Sequence, residues 1–422
     1  MNTKANTWTM CALTLAALMA SSASLNAQEH SPSWTLTPVY IFQGLEDGSN
    51  PNEVILDEAG NLYGSAQYGG EIDNCEAPYG CGVVFEVDKK GDESVLYAFG
   101  ASPSDGVQPY GGVFRDNGDT IYGTTGNFGG TVFQLSRPHW HETVLYNNSS
   151  GSGSSYDPNA DLIRGAHGNL YSTFSFGGGG SCFGGSGCGT VFEVDAHGDV
   201  SIIYYFQGPP ADGADPYGAP LLLGADGSLY GTTNTGGTSD AGTVFKLTPT
   251  GSGWTESVIY NFTGGSDGRY PTQGVVADAA GNLYGTTYIG GAGSGVVFKL
   301  TPHGGSWTQS VIHAFTGPDG ASPAFGRLLR DCEGNLYGTT SGGGLNGYGT
   351  VFKLTPHGSG WIESVLWSFT DGTDGAGPGG TLAMDGRGNL YGATLFGGGY
   401  LDNPNCTGLG YPGCGVIFKL TP

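Results

Sequence analysis

The chain has 422 residues, with 81 glycines, 14 Lys plus Arg against 37 Asp plus Glu, and a formal charge of −23. Such acidity excludes the basic patches by which proteins hold nucleic acid or anionic membranes. Few strong helix formers beside many Gly, Thr, Tyr and Phe argue for strands and tight turns.

At the N-terminus, Lys4 precedes an apolar run from Met10 to Ala20, followed by small residues up to Ala27. This predicts a secretory signal peptide over 1–27, with cleavage after Ala27 or, alternatively, Ala23. The run is too short to span a bilayer. A buried N-terminal helix is the competing reading, and Cys11 opens the run instead of closing it as a lipoprotein anchor requires. No other segment is long and apolar enough to cross a membrane.

From Trp34 onward one unit recurs. Its clearest copy is Gly281-Asn282-Leu283-Tyr284-Gly285-Thr286-Thr287, then Gly290-Gly291, then Gly295 to Leu300. The Leu-Tyr or Ile-Tyr core returns at Leu62, Ile121, Leu170, Leu229, Leu283, Leu336 and Leu390, a period of about 54 residues. A strand-like piece at Trp34 to Phe42 recurs at Glu93, Glu142, Ser201, Trp254, Trp307 and Trp361. In six copies an Asp-Gly loop and a Pro follow, as in Asp105-Gly106 to Pro109; the third copy has a Ser/Gly-rich run ending at Tyr156-Asp157-Pro158. An apolar strand, an Asp-x-x-Gly turn, the Leu-Tyr strand and a Gly-Gly loop come next. The last strand, Gly-Thr-Val-Phe-Lys-Leu, is expected to stop at Thr-Pro.

Four short strands per unit and seven units predict an all-β chain, a seven-bladed β-propeller over 28–422. The chain begins with an outer strand alone and ends at Gly415 to Leu420, the third strand of a blade. Trp34 to Phe42 is therefore predicted to close the ring inside the last blade, removing two sheet edges. A linear β-solenoid is the alternative.

In this order the Asp-Gly and Gly-Gly loops share the face around the channel mouth. Loop variation concentrates there, and so function is placed there. Asn52, Glu53, Tyr110, Asn159, Asp161, Tyr217, Gln273 and Phe325 follow the prolines and are expected to ring the opening. Rings beside amides and carboxylates suit a sugar, whose C–H faces stack while its hydroxyls need partners. Tyr68, Phe128, Phe176 and Phe396 extend the platform; wedging between blades is the plainer reading of these rings. Glu53 and Asp161 are the candidate acid/base pair, and Arg115, Arg164 and Arg327 the candidates for a carboxylate-bearing sugar. Asp105, Asp212, Asp267 and Asp319 form an oxygen-rich ring that suits calcium. Capping of their own turns is the preferred reading, so no cofactor is called for. No Gly-x-Ser-x-Gly, His-Glu-x-x-His or phosphate-loop motif occurs, and whether the protein is an enzyme stays open.

Cys75/Cys81, Cys182/Cys188 and Cys406/Cys414 fall at one place in three units and predict three loop disulfides. Zinc is the rival, against the spacing and without histidines. Cys332 is left over, a free thiol or an intermolecular link.

The run Gly-Asn-Leu-Tyr-Gly-Thr-Thr, Gly-Gly, Gly-Thr-Val-Phe-Lys-Leu-Thr-Pro resembles the GloVer tandem repeat of secreted "choice-of-anchor" bacterial proteins, over essentially the whole mature chain. The resemblance implies an exported bacterial protein, extracellular or periplasmic, and brings no catalytic residues. Members often carry a C-terminal sorting anchor; this chain ends at Lys419-Leu420-Thr421-Pro422, so release is expected. The resulting expectation is a secreted binding module with a polysaccharide or glycan at the loop face. A polysaccharide-degrading lyase or hydrolase on that face, a structural envelope protein and a protein partner are the alternatives. Nucleic acid is not expected.

Overall fold

Alternating apolar side chains and short Gly-rich turns build seven four-stranded antiparallel sheets arranged as a propeller. The computed structural model describes residues 33–422 apart from 45, 71–74, 76–79, 102–103, 117–118, 127–129, 148–154, 324, 400–405 and 407–411. The segment 1–27 expected to be a signal peptide, Phe128 and most of the Ser/Gly-rich run of the third copy lie outside the described residues. A representative blade, the fifth, runs outwards through Val276–Ala277, Leu283–Thr287, Val296–His303 and Ser306–Ala314. Among the described residues there is no α-helix, only short 3-10 turns at Ala166–Gly168 and Cys182–Gly185.

The ring closes as the chain ends predict. Thr35–Ile41 pairs antiparallel with Val416–Thr421, Thr35 opposite Thr421 and Ile41 opposite Val416. Inside them lie Leu390–Phe396 and Ala376–Met384, completing the seventh blade.

The core lies between blades. Six of the seven outer strands end in a Phe that meets, edge to face, the Phe of the next blade's third strand. Phe99 meets Phe133 at 5.0 Å, Phe262 meets Phe298 at 5.1 Å, and across the closure Phe42 meets Phe85 at 5.1 Å. Such pairs add about 0.5–1.5 kcal/mol each beyond their buried area.

A second lock explains why the repeat needs Gly and Pro together. The glycine opening each third strand lies against the next blade's proline; a Cβ on Gly82 would stand 2.5 Å from Pro109, and one on Gly295 2.6 Å from Pro323. Residues before proline ordinarily avoid left-handed backbone, yet Asn50, Gln108, Asp157, Asp215, Tyr270 and Ser322 all have positive φ. Their peptide groups clasp neighbouring blades: the Gln108 N–H donates to the Cys81 carbonyl at 2.7 Å, that of Asp215 to Cys188 at 2.9 Å and that of Asn50 to Cys414 at 2.9 Å. In these three the acceptor is a cysteine, so the three disulfides brace these clasps; Tyr270 and Ser322 donate instead to the Ala241 and Ser294 carbonyls. Cys75–Cys81, Cys182–Cys188 and Cys406–Cys414 have Cα separations of 5.4, 5.0 and 4.6 Å.

Two expectations are corrected. Cys332 is not a free thiol; it is disulfide-bonded. The Thr-Pro pair does not stop the third strand in blades four to six, where pairing continues with Pro249, Pro302 and Pro356 opposite Trp254, Trp307 and Trp361. The second strand has already ended there, so the proline occupies a sheet edge, where its missing donor is tolerated.

Candidate functional site

The Asp-Gly loop entering a blade bridges to the Gly-Gly loop of that blade. Gly213 pairs with Gly236, Arg269 with Ile289 and Ala321 with Gly342, so both loop sets rise from one face. The loop carboxylates turn back into their own loops. Asp212 Oδ2 accepts the Tyr204 hydroxyl at 2.8 Å and the Gln207 N–H at 2.8 Å, and Asp267 Oδ2 accepts the Tyr260 hydroxyl at 3.0 Å and the Thr263 N–H at 2.8 Å. Asp105 takes Tyr97 and Gly100, and Asp319 takes His313 and Thr316. Among the described residues no three His, Cys, Asp or Glu side chains are grouped to hold a metal.

At the channel mouth the loops enclose a cavity of about 520 Å³. Asn52, Glu53, Tyr110, Asn159, Asp161, Tyr217, Gln273 and Phe325 all line it, as does Phe396. Asn52 is held: its Nδ2 donates to Ser65 Oγ at 2.9 Å and to the Pro109 carbonyl at 2.6 Å, and its Oδ1 accepts from Gln67 Nε2 at 2.8 Å. The Tyr110 hydroxyl donates to Gln108 Oε1 at 3.2 Å. Burial, then Tyr68, Tyr217 and Asp157, pushes it up to about 12.

Glu53 and Asp161 meet. Each is the residue just before the first apolar position of its inner strand, one in the first blade and one in the third. Glu53 crosses over Gly112 of the blade between them, where a Cβ would stand 2.2 Å from Glu53 Oε1. Glu53 Oε2 accepts the Thr381 N–H at 2.8 Å, Asp161 Oδ1 accepts the Gly112 N–H at 2.6 Å, and the two carboxyl groups hydrogen-bond to each other. Burial, then the charge of Asp161, raises Glu53 to about 8, with Arg327 opposing. Two buried carboxyl groups this close favour the form in which one of them keeps its proton.

The arginines divide. Arg327 does not line the cavity, though its charge acts on Glu53. Arg115 and Arg164 are not among the lining residues; Arg115 lies over the Tyr63 ring at 4.7 Å and pairs with Asp119, while Arg164 Nη1 is 3.7 Å from Asp116. Their strand runs on from the inner position to the Asp-x-x-Gly turn, at the far end of the blade from the mouth.

Sequence reasoning missed Gln67, Tyr288, Ser341 and Leu395, which also line the cavity. A signal was present: each directly follows the two small residues that close the Leu-Tyr strand, a variable position inside an otherwise repeated motif. Tyr348 and Thr381 were missed as well.

A family model described as the Gloeobacter/Verrucomicrobia repeat matches residues 157–402. No curated protein matches the chain. Among solved structures, a 6-phosphogluconolactonase candidate from Bacteroides fragilis is 13% identical with a TM-score of 0.49, covering 81% of this chain and 88% of that one. One from Bacteroides uniformis is 13% identical with a TM-score of 0.48, over 81% and 89%. A gluconolactonase from Xanthomonas campestris is 12% identical with a TM-score of 0.39, over 72% and 82%. Likeness this distant transfers no activity.

Proposed function

The chain belongs to the Gloeobacter/Verrucomicrobia repeat family, and we propose that it is an exported propeller that binds carbohydrate in the cavity at its channel mouth. The observation that carries this reading is the lining itself. Tyr110, Tyr217, Tyr288 and Phe325 alternate with Asn159 and Gln273 around a cavity of about 520 Å³, a volume within the range of small-ligand sites. Ring faces take the apolar side of a sugar and amides take its hydroxyls. Three disulfides set at blade junctions support an oxidising, extracytoplasmic compartment.

Hydrolysis on the same face is the weaker reading. Glycosidase carboxyl groups stand about 5 Å apart in retaining enzymes and about 6.5–9.5 Å apart in inverting ones, leaving room for the bond and the water. Here Glu53 and Asp161 are in hydrogen-bond contact. That closeness supports recognition over cleavage.

The test incubates the protein with a panel of soluble and insoluble polysaccharides, reading depletion from solution and new reducing or unsaturated ends in the same tubes. Depletion without new ends is expected, and the paired Tyr110→Ala, Tyr217→Ala variant should weaken it at least about tenfold, the loss of roughly 1.4 kcal/mol. Undiminished retention by that variant would remove the aromatic platform from consideration.

A further inference from the structure

We propose that the floor of this cavity seats a protonated amino group carried by a sugar, held between Glu53 and Asp161. The inference rests on the carbohydrate reading above and names its ligand class.

Three observations converge. First, among the described residues the charged side chains lining the cavity are Glu53 and Asp161 alone, with no Lys, Arg or His beside them. A carboxylated, sulfated or phosphorylated sugar would bring its charge against a carboxyl pair that is already too crowded to ionise fully. Second, the two carboxyl groups touch, and Glu53 is only 9% exposed. Such a pair holds one proton because two adjacent buried anions repel. Third, the lining includes buried side-chain acceptors that no donor satisfies. Gln273 is 5% exposed, lines the cavity and gives its Nε2 to Thr272 Oγ1 at 3.1 Å; its Oε1 accepts from nothing among the described residues. Asn159 Oδ1 is likewise buried without a partner.

An ammonium group answers all three. It replaces the shared proton, so a positive charge enters as one leaves and the floor gains no net charge. It brings three donors, enough for the two carboxyl groups and for Gln273 Oε1 together. A hydroxyl can satisfy Gln273 or Asn159 but leaves the proton between the carboxyls where it was. The groups facing Glu53 are Asp161 from the third blade, Gly112 from the second, the Thr381 N–H from the seventh and Arg327 from the sixth. Arg327 is the one cation among them, and its charge acts on Glu53 though it does not line the cavity. With Glu53 titrating at about 8, binding in mildly acidic solution must expel a proton.

Titration calorimetry on the full protein at a pH of about 5, where the sugar amines are already protonated, in two buffers of different ionisation enthalpy, separates the outcomes. The probes are a tetramer of glucosamine, its fully N-acetylated counterpart and a tetramer of galacturonic acid. The amine should bind at least about tenfold tighter than the N-acetylated tetramer, release a proton, and leave the uronate weakest. Glu53→Gln should abolish both the preference and the buffer dependence, and Asp161→Asn is the second variant if the first does not fold. Equal binding of the amine and N-acetylated tetramers with no proton released would overturn this inference and keep the carbohydrate reading. Tightest binding of the uronate would overturn it too. No binding of any tetramer, nor of the polysaccharide panel, would take both down.

Discussion

Phe174 stands where five other blades carry Thr125, Thr233, Thr287, Thr340 and Thr394. Four of these threonines bond across to the next strand, Thr233 Oγ1 lying 2.8 Å from Thr243 Oγ1 and Thr340 Oγ1 2.8 Å from Thr350 Oγ1, while Thr287 donates to the Ile289 carbonyl. Phe174 instead lies fully buried with its ring 4.4 Å from Phe192 and 5.0 Å from Tyr146. The reason is read from the second blade's outer strand, whose sequence has Asn148 where the others end in Phe42, Phe99, Phe206, Phe262, Phe315 and Phe369. One ring was lost from the blade junction, and Phe174 fills its place from the other side. Ser172 departs together with it, since the equivalent glycines lie under the neighbouring Phe ring; a Cβ on Gly285 would stand 2.6 Å from Phe298. Restoring the repeat's own residue should therefore harm the protein. Phe174→Thr is expected to cost about 3 kcal/mol or more in denaturant unfolding, by the scale of large-to-small core changes. A loss under about 1 kcal/mol would mean that the junction collapses around the gap and that Phe174 is not its filler. The substitution was visible in the sequence as a departure from the motif. Its compensation was not, because the two positions meet only once blades pack.

At the scale of strands, the period-two alternation made the blades readable, but what faces what across a junction was hidden for the same reason. Glu93, Glu142, Glu256 and Glu363 occupy one position of the outer strand, half-buried, each with Oε1 lacking a hydrogen-bond partner. Each faces the loop aspartate of the preceding junction: Asp47, Asp105, Asp212 and Asp319 respectively. Burial first, and the facing aspartate second, raises Glu93, Glu142 and Glu363 to about 7 and Glu256 to about 8, from an ordinary 4.5. Gln309 holds the corresponding place opposite Asp267 and donates to its carbonyl at 3.4 Å, a neutral version of the same contact. A raised folded-state value means that the native protein binds more protons than the unfolded chain. The stability so gained is fully present below about 4.5 and is lost as pH rises through about 7–8. The thermal midpoint should accordingly fall between pH values of about 5 and 8.5. Replacing all four glutamates by Gln, as position 309 already has, should flatten that fall. A midpoint that rises over this range, or a slope unchanged in the fourfold variant, would place the pH dependence elsewhere. The overextended third strands teach a related point: Pro302 was read as a terminator because proline cannot serve a strand paired on both sides, whereas here pairing persists on the outer side alone.

For the whole molecule, the ring was legible because its two ends are complementary fragments of one blade, a property of chain order that needs no side-chain detail. The mouth was legible in part. The residues after each proline turn inward wherever the ring closes, so Tyr110, Tyr217 and Gln273 could be placed by repeat position, while Arg115 and Arg164 sit six residues after Pro109 and Pro158 and fall at the other end of the inner strand. That Glu53 and Asp161 touch could not be read, because it depends on Gly112 leaving the space between them. If closure holds the ring, then removing residues 1–42 should do more than delete one strand. It would bare the Val416–Thr421 edge, remove the Phe42 N–H bond to the Gly415 carbonyl at 3.1 Å, and leave Phe85 without its partner ring. An unpaired edge beside an apolar gap recruits another chain. The truncated protein is therefore expected to self-associate in size-exclusion chromatography and to unfold several degrees lower. A synthetic peptide spanning 33–42 should restore the monomer, because the missing interactions are those of one strand and can be supplied in trans. A truncated chain that stays monomeric with an unchanged midpoint would mean that the inter-blade clasps alone hold the propeller shut, and that the borrowed strand covers an edge without securing the ring.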